Sequence, residues 1–383
     1  MMIFGQNRYL SYEISPGCSD CSNVFPQCLD LLRLHDSQCS FYQIATAPDV
    51  YDWSILDAHL DSCEQRGVQV LYTFSYTPEW AYRTDYVPEW SDPGSVTPHS
   101  NYPPQLDVFE AFFRALLDHV RRPDGSFRIQ YFEAWNEANA LAFWNGTDDI
   151  LMEQQQMLWN VLQEVAPACS LTTPTPTKNL TTVEQALDNY LAMGFQNYSH
   201  IVSFHGYADV GTPGAAIGST LEAVNEVMAK YNCSLPLWDT EWNWTQGYPD
   251  DGCIPIGDVS QWIKDALIAR LENRIACAIW FQWDNPNGCG YMLDDPTWKG
   301  HVNAAGNAWI DLYNSIHPLP AVTDLSRVSV PVPVPSMIIV PILSGTIEIP
   351  VPPFQPTPTS ALLERVTALE CRLANLERKL ESC

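Results

Sequence analysis

Basic residues are scarce in this chain: 19 Lys and Arg stand against 45 Asp and Glu, a formal charge of −26 over 383 residues. That deficit excludes a surface built for nucleic-acid phosphates or anionic lipid, both of which would be repelled. Long apolar runs are lacking too, and none approaches the roughly 20 residues needed to span a membrane. The opening Met1-Met2-Ile3-Phe4-Gly5-Gln6-Asn7-Arg8 has no apolar leader core, so any export relies on a leader outside this sequence or on another route. No Gly-rich phosphate loop follows the early strands, which removes the main signature of an open, doubly wound dinucleotide sheet. Cys18-Ser19-Asp20-Cys21 has the spacing of half a zinc site, but Cys28 and Cys39 are poorly spaced for the other half. No metal and no cofactor is therefore expected.

What the chain does have is hydrophobic mass. Apolar residues make up 46% of it and aromatics 12%, enough for a large core and too much for disorder. The 12 cysteines, four of them near the N-terminus, read as disulfides of an exported protein. Sequons at Asn145, Asn179, Asn197, Asn232 and Asn243 agree with an extracellular or surface-displayed location.

Residues 1–318 alternate short apolar runs with amphipathic stretches. Strands are expected at Tyr9–Ile14, Leu31–Leu34, Val68–Phe74, Ile129–Trp135, Ser170–Thr173, Ile201–Phe204, Pro236–Thr240 and Ala276–Phe281. Helices are expected at Trp53–Gln65 with Asp52 as N-cap, Leu106–Arg121, Ile150–Val165, Val183–Met193, Ser219–Tyr231, Asp258–Glu272 and Ala304–Ser315. Eight strands with intervening helices in this length fit an α/β fold of the (β/α)8 TIM barrel type. Residues 319–360, with Val330-Pro331-Val332-Pro333-Val334-Pro335, read as an extended Pro/Val-rich linker. Within it, Met337–Val340 and Thr346–Ile349 are apolar enough to pair as short strands, including with another subunit. Residues 361–383 carry a heptad seam of Leu362, Val366, Leu369, Leu373, Leu376, Leu380 and Cys383. Its flanks pair Arg365 with Glu370 and Arg372 with Glu377 across parallel chains, which predicts a homo-oligomer, dimer or trimer.

The chemistry lies at strand ends. Tyr131-Phe132-Glu133-Ala134-Trp135 is an apolar run that stops in Asn136-Glu137. Leu235-Pro236-Leu237-Trp238-Asp239-Thr240 stops in Glu241. Two carboxylates at the C-terminal rim of one barrel are the equipment for glycoside hydrolysis, one as acid/base and one as nucleophile. The acid/base needs a raised pKa, from burial and nearby negative charge. The nucleophile needs donors and positive charge that keep it ionised. Arg33, inside a buried strand, needs a carboxylate partner; Glu241 is the candidate, with a purely structural acid as the alternative. His205 and Tyr207 share a face beyond strand six. Asn136 is placed to hold a sugar hydroxyl, and Trp280 offers a stacking platform.

This set resembles the clan A glycoside hydrolases, whose acid/base lies on strand four and nucleophile on strand seven. Arg33, Asn136, Glu137, His205, Tyr207, Glu241 and Trp280 match in order. Thr77-Pro78-Glu79-Trp80 resembles the Pro-Glu-Trp loop of family 39, and Trp135-Asn136-Glu137-Ala138-Asn139 its Trp-Asn-Glu-Pro-Asn. Ala138 replaces that proline, and His35 stands where family 39 often has Trp. The resemblance implies a retaining β-glycosidase with Glu137 and Glu241 catalytic and Trp80 and Asn139 supporting substrate binding.

Aromatics at Trp80, Tyr82, Tyr86, Trp90, Tyr102, Trp144, Trp242, Trp244 and Tyr248 suit either a polysaccharide cleft or a pocket for one terminal sugar. Cys253 and Cys289, on adjacent rim loops, are expected to form a disulfide. Two other readings stand beside the enzyme: a structural or adhesive fibre subunit on a hydrolase-like barrel, and a carbohydrate-binding module without turnover.

Overall fold

The structure, a computed structural model, describes residues 2–7, 28–35, 37–86, 100–179, 181–209, 217–245, 256–281, 304–316, 337–342 and 345–350. The chain divides into two compact units, Met1–Leu319 and Pro320–Cys383. In the first, eight strands run β1 Ile3–Asn7, β2 Leu31–Leu34, β3 Gln69–Thr73, β4 Tyr131–Glu133, β5 Ser170–Leu171, β6 Val202–His205, β7 Leu237–Trp242 and β8 Cys277–Trp280. All pair in parallel in the order β5-β4-β3-β2-β1-β8-β7-β6. A parallel bridge between Thr172 and Ile201 joins the two ends, supported by Ser203 N–H donating to Thr173 Oγ1 at 3.1 Å. The sheet is thus a closed barrel. The first strand lies at Ile3–Asn7; Tyr9–Ile14, where it was expected, falls outside the described residues.

The helices are α1 Phe41–Ile44, a single turn, then α2 Ser54–Arg66, α3 Leu106–His119, α4 Asp148–Val165, α5 Val183–Met193, α6 Ile217–Lys230, α7 Ile256–Glu272 and α8 Ala304–Ile316. Their ends follow local chemistry. Asp52 accepts the Ser54 N–H at 3.0 Å, so it satisfies the first turn of α2 from one position further out than expected. Thr182 and Gln185 form a reciprocal capping box on α5, and Gly194 at φ 93° ends it. Helix α3 buries Phe109, Phe112, Phe113, Leu116 and Leu117 against the sheet. Each such side chain stabilises the fold by about 1.5–3 kcal/mol.

Strand alternation separates two environments. Leu31, Leu71, Ile201, Trp238, Cys277 and Ile279 point inward and form the barrel floor, with Tyr131 and Ile3 packed on them. Gly5 lies against this plug; a Cβ there would sit 2.7 Å from Ile279 Cγ1. Outward-facing residues pack under the helices in two clusters, one beneath α2–α4 and one beneath α5–α8.

In the second unit, Met337–Ile342 and Gly345–Pro350 form an antiparallel hairpin. The remaining linker and the heptad segment lie outside the described residues, as do Cys18, Cys21, Cys253 and Cys289. Cys28 and Cys39, expected in disulfides, carry free thiols. Of the sequons, Asn179, Asn197 and Asn232 are exposed. Asn145 and Asn243 are buried, and the Asn243 amide donates to Phe281 O at 2.6 Å, so neither presents its nitrogen to a glycan-transferring enzyme. Among the described residues no helix is long and apolar enough to cross a membrane.

Candidate active site

One step above the floor, the same strands change character. Leu31 gives way to Arg33, Leu71 to Thr73, Tyr131 to Glu133, Ile201 to Ser203 and His205, and Trp238 to Thr240. Arg33 is fully buried and serves three acceptors at once. Its Nε donates to Glu133 Oε2 at 2.7 Å, one terminal nitrogen to Asn136 Oδ1 at 2.7 Å, and the other to Glu241 Oε1. Both alternatives for its partner therefore hold together: Glu241 and a structural acid. Glu133 also accepts from the hydroxyls of Thr73 (2.8 Å), Thr175 (2.7 Å) and Thr240 (2.6 Å). Burial works against its charge, but Arg33 and these donors outweigh it and hold its carboxyl down at about 2.

The two strand-end carboxylates meet above this layer. One oxygen of Glu137 and one of Glu241 lie within 4.8 Å of each other, with a His205 nitrogen inside the same span. Glu241 is pinned: Arg33 holds one oxygen, and the Tyr207 hydroxyl donates to the other at 2.6 Å. Burial and the Glu241 charge push the Tyr207 phenol upward, so it stays a donor. Glu137 is the more exposed of the two, its side chain 16% accessible against 5% for Glu241. It is carried by a backbone at φ 42°, an uncommon conformation for a residue with a Cβ, and this region is enriched at functional sites. His205, fully buried, places Nδ1 2.9 Å from Glu137 Oε1 and 3.5 Å from Glu241 Oε2, while its Nε2 has no partner among the described residues.

Here the structure corrects an expectation. Burial pushes the Glu137 carboxyl up, but the His205 hydrogen bond and charge outweigh it and hold it below the ordinary value. Conversely, burial pushes His205 down, and the charges of Glu241 and Glu137 raise it above 6.5. Both shifts favour the shared proton on His205 over Glu137. The trio of Glu137, His205 and Glu241 has the donor set of a small-cation site. Arg33 and His205 already serve these carboxylates as donors, so the arrangement reads as an acid–base pair beside a second carboxylate held by Arg33 and Tyr207.

A second correction concerns Trp280. It is fully buried outside the barrel wall, under α7 and α8, with its ring 4.6 Å from that of Trp242. Cys277 and Ile279 face inward, so period-two alternation turns Trp280 outward and aims the next residue, Phe281, toward the site. The Phe281 ring lies 6.4 Å from that of Tyr207. Trp80 is half-buried; its indole donates to Ala45 O at 3.2 Å and ties the loop after β3 to that after β2. Asn139 exchanges two hydrogen bonds with Thr177, at 2.7 and 2.9 Å, linking the loops after β4 and β5. Trp144 and Trp242, expected at the rim, are core residues, and Trp90 and Tyr248 lie outside the described residues.

Some site residues escaped the sequence reading. Glu133 was passed over as a strand interior, although a Glu two residues above a floor-facing Tyr131 must point inward. His35, Tyr76 and Phe143 gather into an aromatic group with ring separations of 5.6–5.9 Å. His35 is close enough to Glu137 to be among the groups that lower its carboxyl. Nothing local to these loops signals that they converge.

No protein-family model and no curated protein sequence matches the chain. Solved structures do. The chain is similar to a glucosidase from Croceicoccus marinus (16% identity, TM-score 0.62), covering 82% of this chain and 68% of that one. It is similar to a GH39 β-xylosidase from Caulobacter crescentus (18%, TM-score 0.62), covering 81% and 70%. Xylanase B from Clostridium stercorarium F9 (13%, TM-score 0.57) matches over 81% of this chain and 96% of its own. These likenesses define the class of fold, the (β/α)8 barrel. All three matched proteins are named as enzymes that act on glycosides.

Proposed function

We propose that the chain is a retaining β-glycosidase of the clan A type, with Glu241 as nucleophile and Glu137 as acid/base. The observation that carries this reading is the approach of the two carboxylates within 4.8 Å. Retention uses groups about 5–5.5 Å apart, whereas inversion leaves about 6.5–9.5 Å for an intervening water. In the first step a Glu241 oxygen attacks the anomeric carbon while a proton passes from Glu137 to the leaving glycosidic oxygen. In the second, Glu137 takes a proton from water, whose oxygen attacks the same carbon and frees Glu241. His205, hydrogen-bonded to Glu137, is placed to supply the proton that passes through Glu137 in the first step and to take back the one Glu137 receives from water in the second. The Arg33–Asn136 bond orients the amide, leaving its nitrogen for a sugar hydroxyl.

The neighbours' printed names support β-linked pentose or hexose units as substrates. A panel of 2-deoxy-2-fluoroglycosides followed by peptide mass spectrometry tests the reading. Labelling of Glu241 that vanishes in Glu241→Gln is expected. No labelling and no hydrolysis of β-linked glucans, xylans, mannans or galactans would overturn it and leave the structural or adhesive reading.

We also propose display as a parallel homo-oligomer outside the cell, supported by the heptad seam at 361–383. A two-stranded hairpin such as that of Met337–Ile342 and Gly345–Pro350 is marginal in water by itself, which favours pairing with other copies. Light scattering on the full chain and on one cut near Ser326 is expected to give an oligomer and a monomer. Equal masses would refute it.

A further inference from the structure

Behind the site, outside the barrel wall, a second buried ion pair grips the backbone of a single residue, on both of its peptide units. Asp239, on β7 two residues before Glu241, is fully buried, and Arg270 of α7 is 1% exposed. Arg270 Nε donates to Asp239 Oδ2 at 2.8 Å, and the guanidinium lies 4.0 Å from the Trp242 ring centroid. Both partners then turn to Gly206. Asp239 Oδ1 accepts its N–H at 2.8 Å, and an Arg270 terminal nitrogen donates to its carbonyl at 3.0 Å. There is no room for a side chain, since a Cβ at Gly206 would lie 2.3 Å from Asp239 Oδ2.

Gly206 separates His205 from Tyr207. The first pairs with Glu137, and the second donates to Glu241. One clamped residue therefore sets the aim of a group on each carboxylate. The clamp also spans β6, β7 and α7, so the two strands cannot shift relative to each other without breaking it. A buried charge pair is a costly way to fix a backbone position, because both ions must be desolvated. An apolar contact would stabilise equally well but would not fix the direction of Gly206 N–H and C=O.

We propose that Asp239 and Arg270 are positioning residues: acting through Gly206, they hold His205 against Glu137 and Tyr207 against Glu241. This rests on the two-carboxylate reading of the site for its catalytic meaning, but not for its geometry.

The test uses the full chain and two readouts. One is the His205 imidazole titration by NMR. The other is the rate of fluoroglycoside trapping at Glu241, separated from probe affinity. In Arg270→Lys, which keeps the charge but loses the fork, the His205 midpoint is expected to fall toward an ordinary imidazole. Trapping is expected to slow by about tenfold to a hundredfold at similar probe affinity. Gly206→Ala is expected to do the same more strongly. Should it fail to fold, Arg270→Lys carries the test alone. Ile279→Val, a floor substitution, serves as a control that lowers the melting temperature without moving the titration. A folded Arg270→Lys protein with the wild-type His205 titration would overturn the proposal. Absence of trapping in the wild type would instead count against the glycosidase reading, and the titration would still decide the clamp.

Discussion

The barrel interior holds two layers built by the same strands, and they could hardly differ more. The floor, from Leu31 through Ile279, is apolar and fully packed. Two residues further along each strand, the layer is Arg33, Thr73, Glu133, Ser203 and Thr240, tied by hydrogen bonds of 2.6–2.8 Å around Glu133. The floor is stable because it excludes water and asks nothing of direction. The upper layer loses that apolar gain and must satisfy every polar atom, but it fixes where each donor points. That direction is what the carboxylate pair above it requires.

The sharpest way to break the contrast is Glu133→Gln. It removes one partner of a buried pair and leaves Arg33 undercompensated, with an expected loss of about 3–5 kcal/mol in denaturant unfolding. The pH sign follows from the depressed carboxyl. Glu133 ionises more readily folded than unfolded, so its stabilisation is complete above the ordinary 4.5 and is lost as pH falls toward about 2. That component is worth about 3 kcal/mol, and the acid slope between those values should flatten in Glu133→Gln.

In the floor, Leu71→Ala is expected to cost about 2–5 kcal/mol by opening a cavity, with no pH dependence between 2 and 4.5. A matching acid slope in both variants would erase the distinction between the layers. Next comes Tyr207→Phe, which deletes the hydroxyl's hydrogen bond to the Glu241 carboxyl, worth about 0.5–3 kcal/mol. It should slow hydrolysis accordingly and leave the fold intact.

His205→Asn probes the proton itself. In the wild type, activity should fall on the alkaline side as the proton shared by Glu137 and His205 leaves, above 6.5 because His205 is raised. Its own stabilising contribution is complete below 6.5 and lost as pH rises through the folded value. In the variant the alkaline limb should move to lower pH, since Glu137 must then hold the proton alone. The smallest effect is expected at the surface: Lys230→Ala removes an exposed pair with Asp188 at 2.6 Å, which solvent screens, so denaturant unfolding should scarcely change.

Most of the barrel was legible because hydrophobic period and capping are local. Leu31–Leu34 and Val183–Met193 fall where their patterns place them. The strand-end positions of Glu137 and Glu241 were legible for the same reason: a polar terminus after an apolar run reads along the chain. Trp280 was misread because a conspicuous aromatic outweighed the alternation that Cys277 and Ile279 set. Glu133 went unread because an acid inside a strand looks like noise until its three hydroxyl partners, from three other loops and strands, are in place.

The sequence by itself determined the order of most elements, the inward and outward phase of the regular strands, and the chemical types available at the rim. Those depend on neighbours within a few residues. Only the tertiary structure decided the rest. Closure of β5 on β6 brought residues 33, 133, 137, 205 and 241 together across separations of up to 208 positions. It gave Arg33 two carboxylates instead of one, set His205 against Glu137 so that their shared proton favours the imidazole, and set the clamp on Gly206. Charge and direction act through space at a few ångströms, and no local pattern carries that distance.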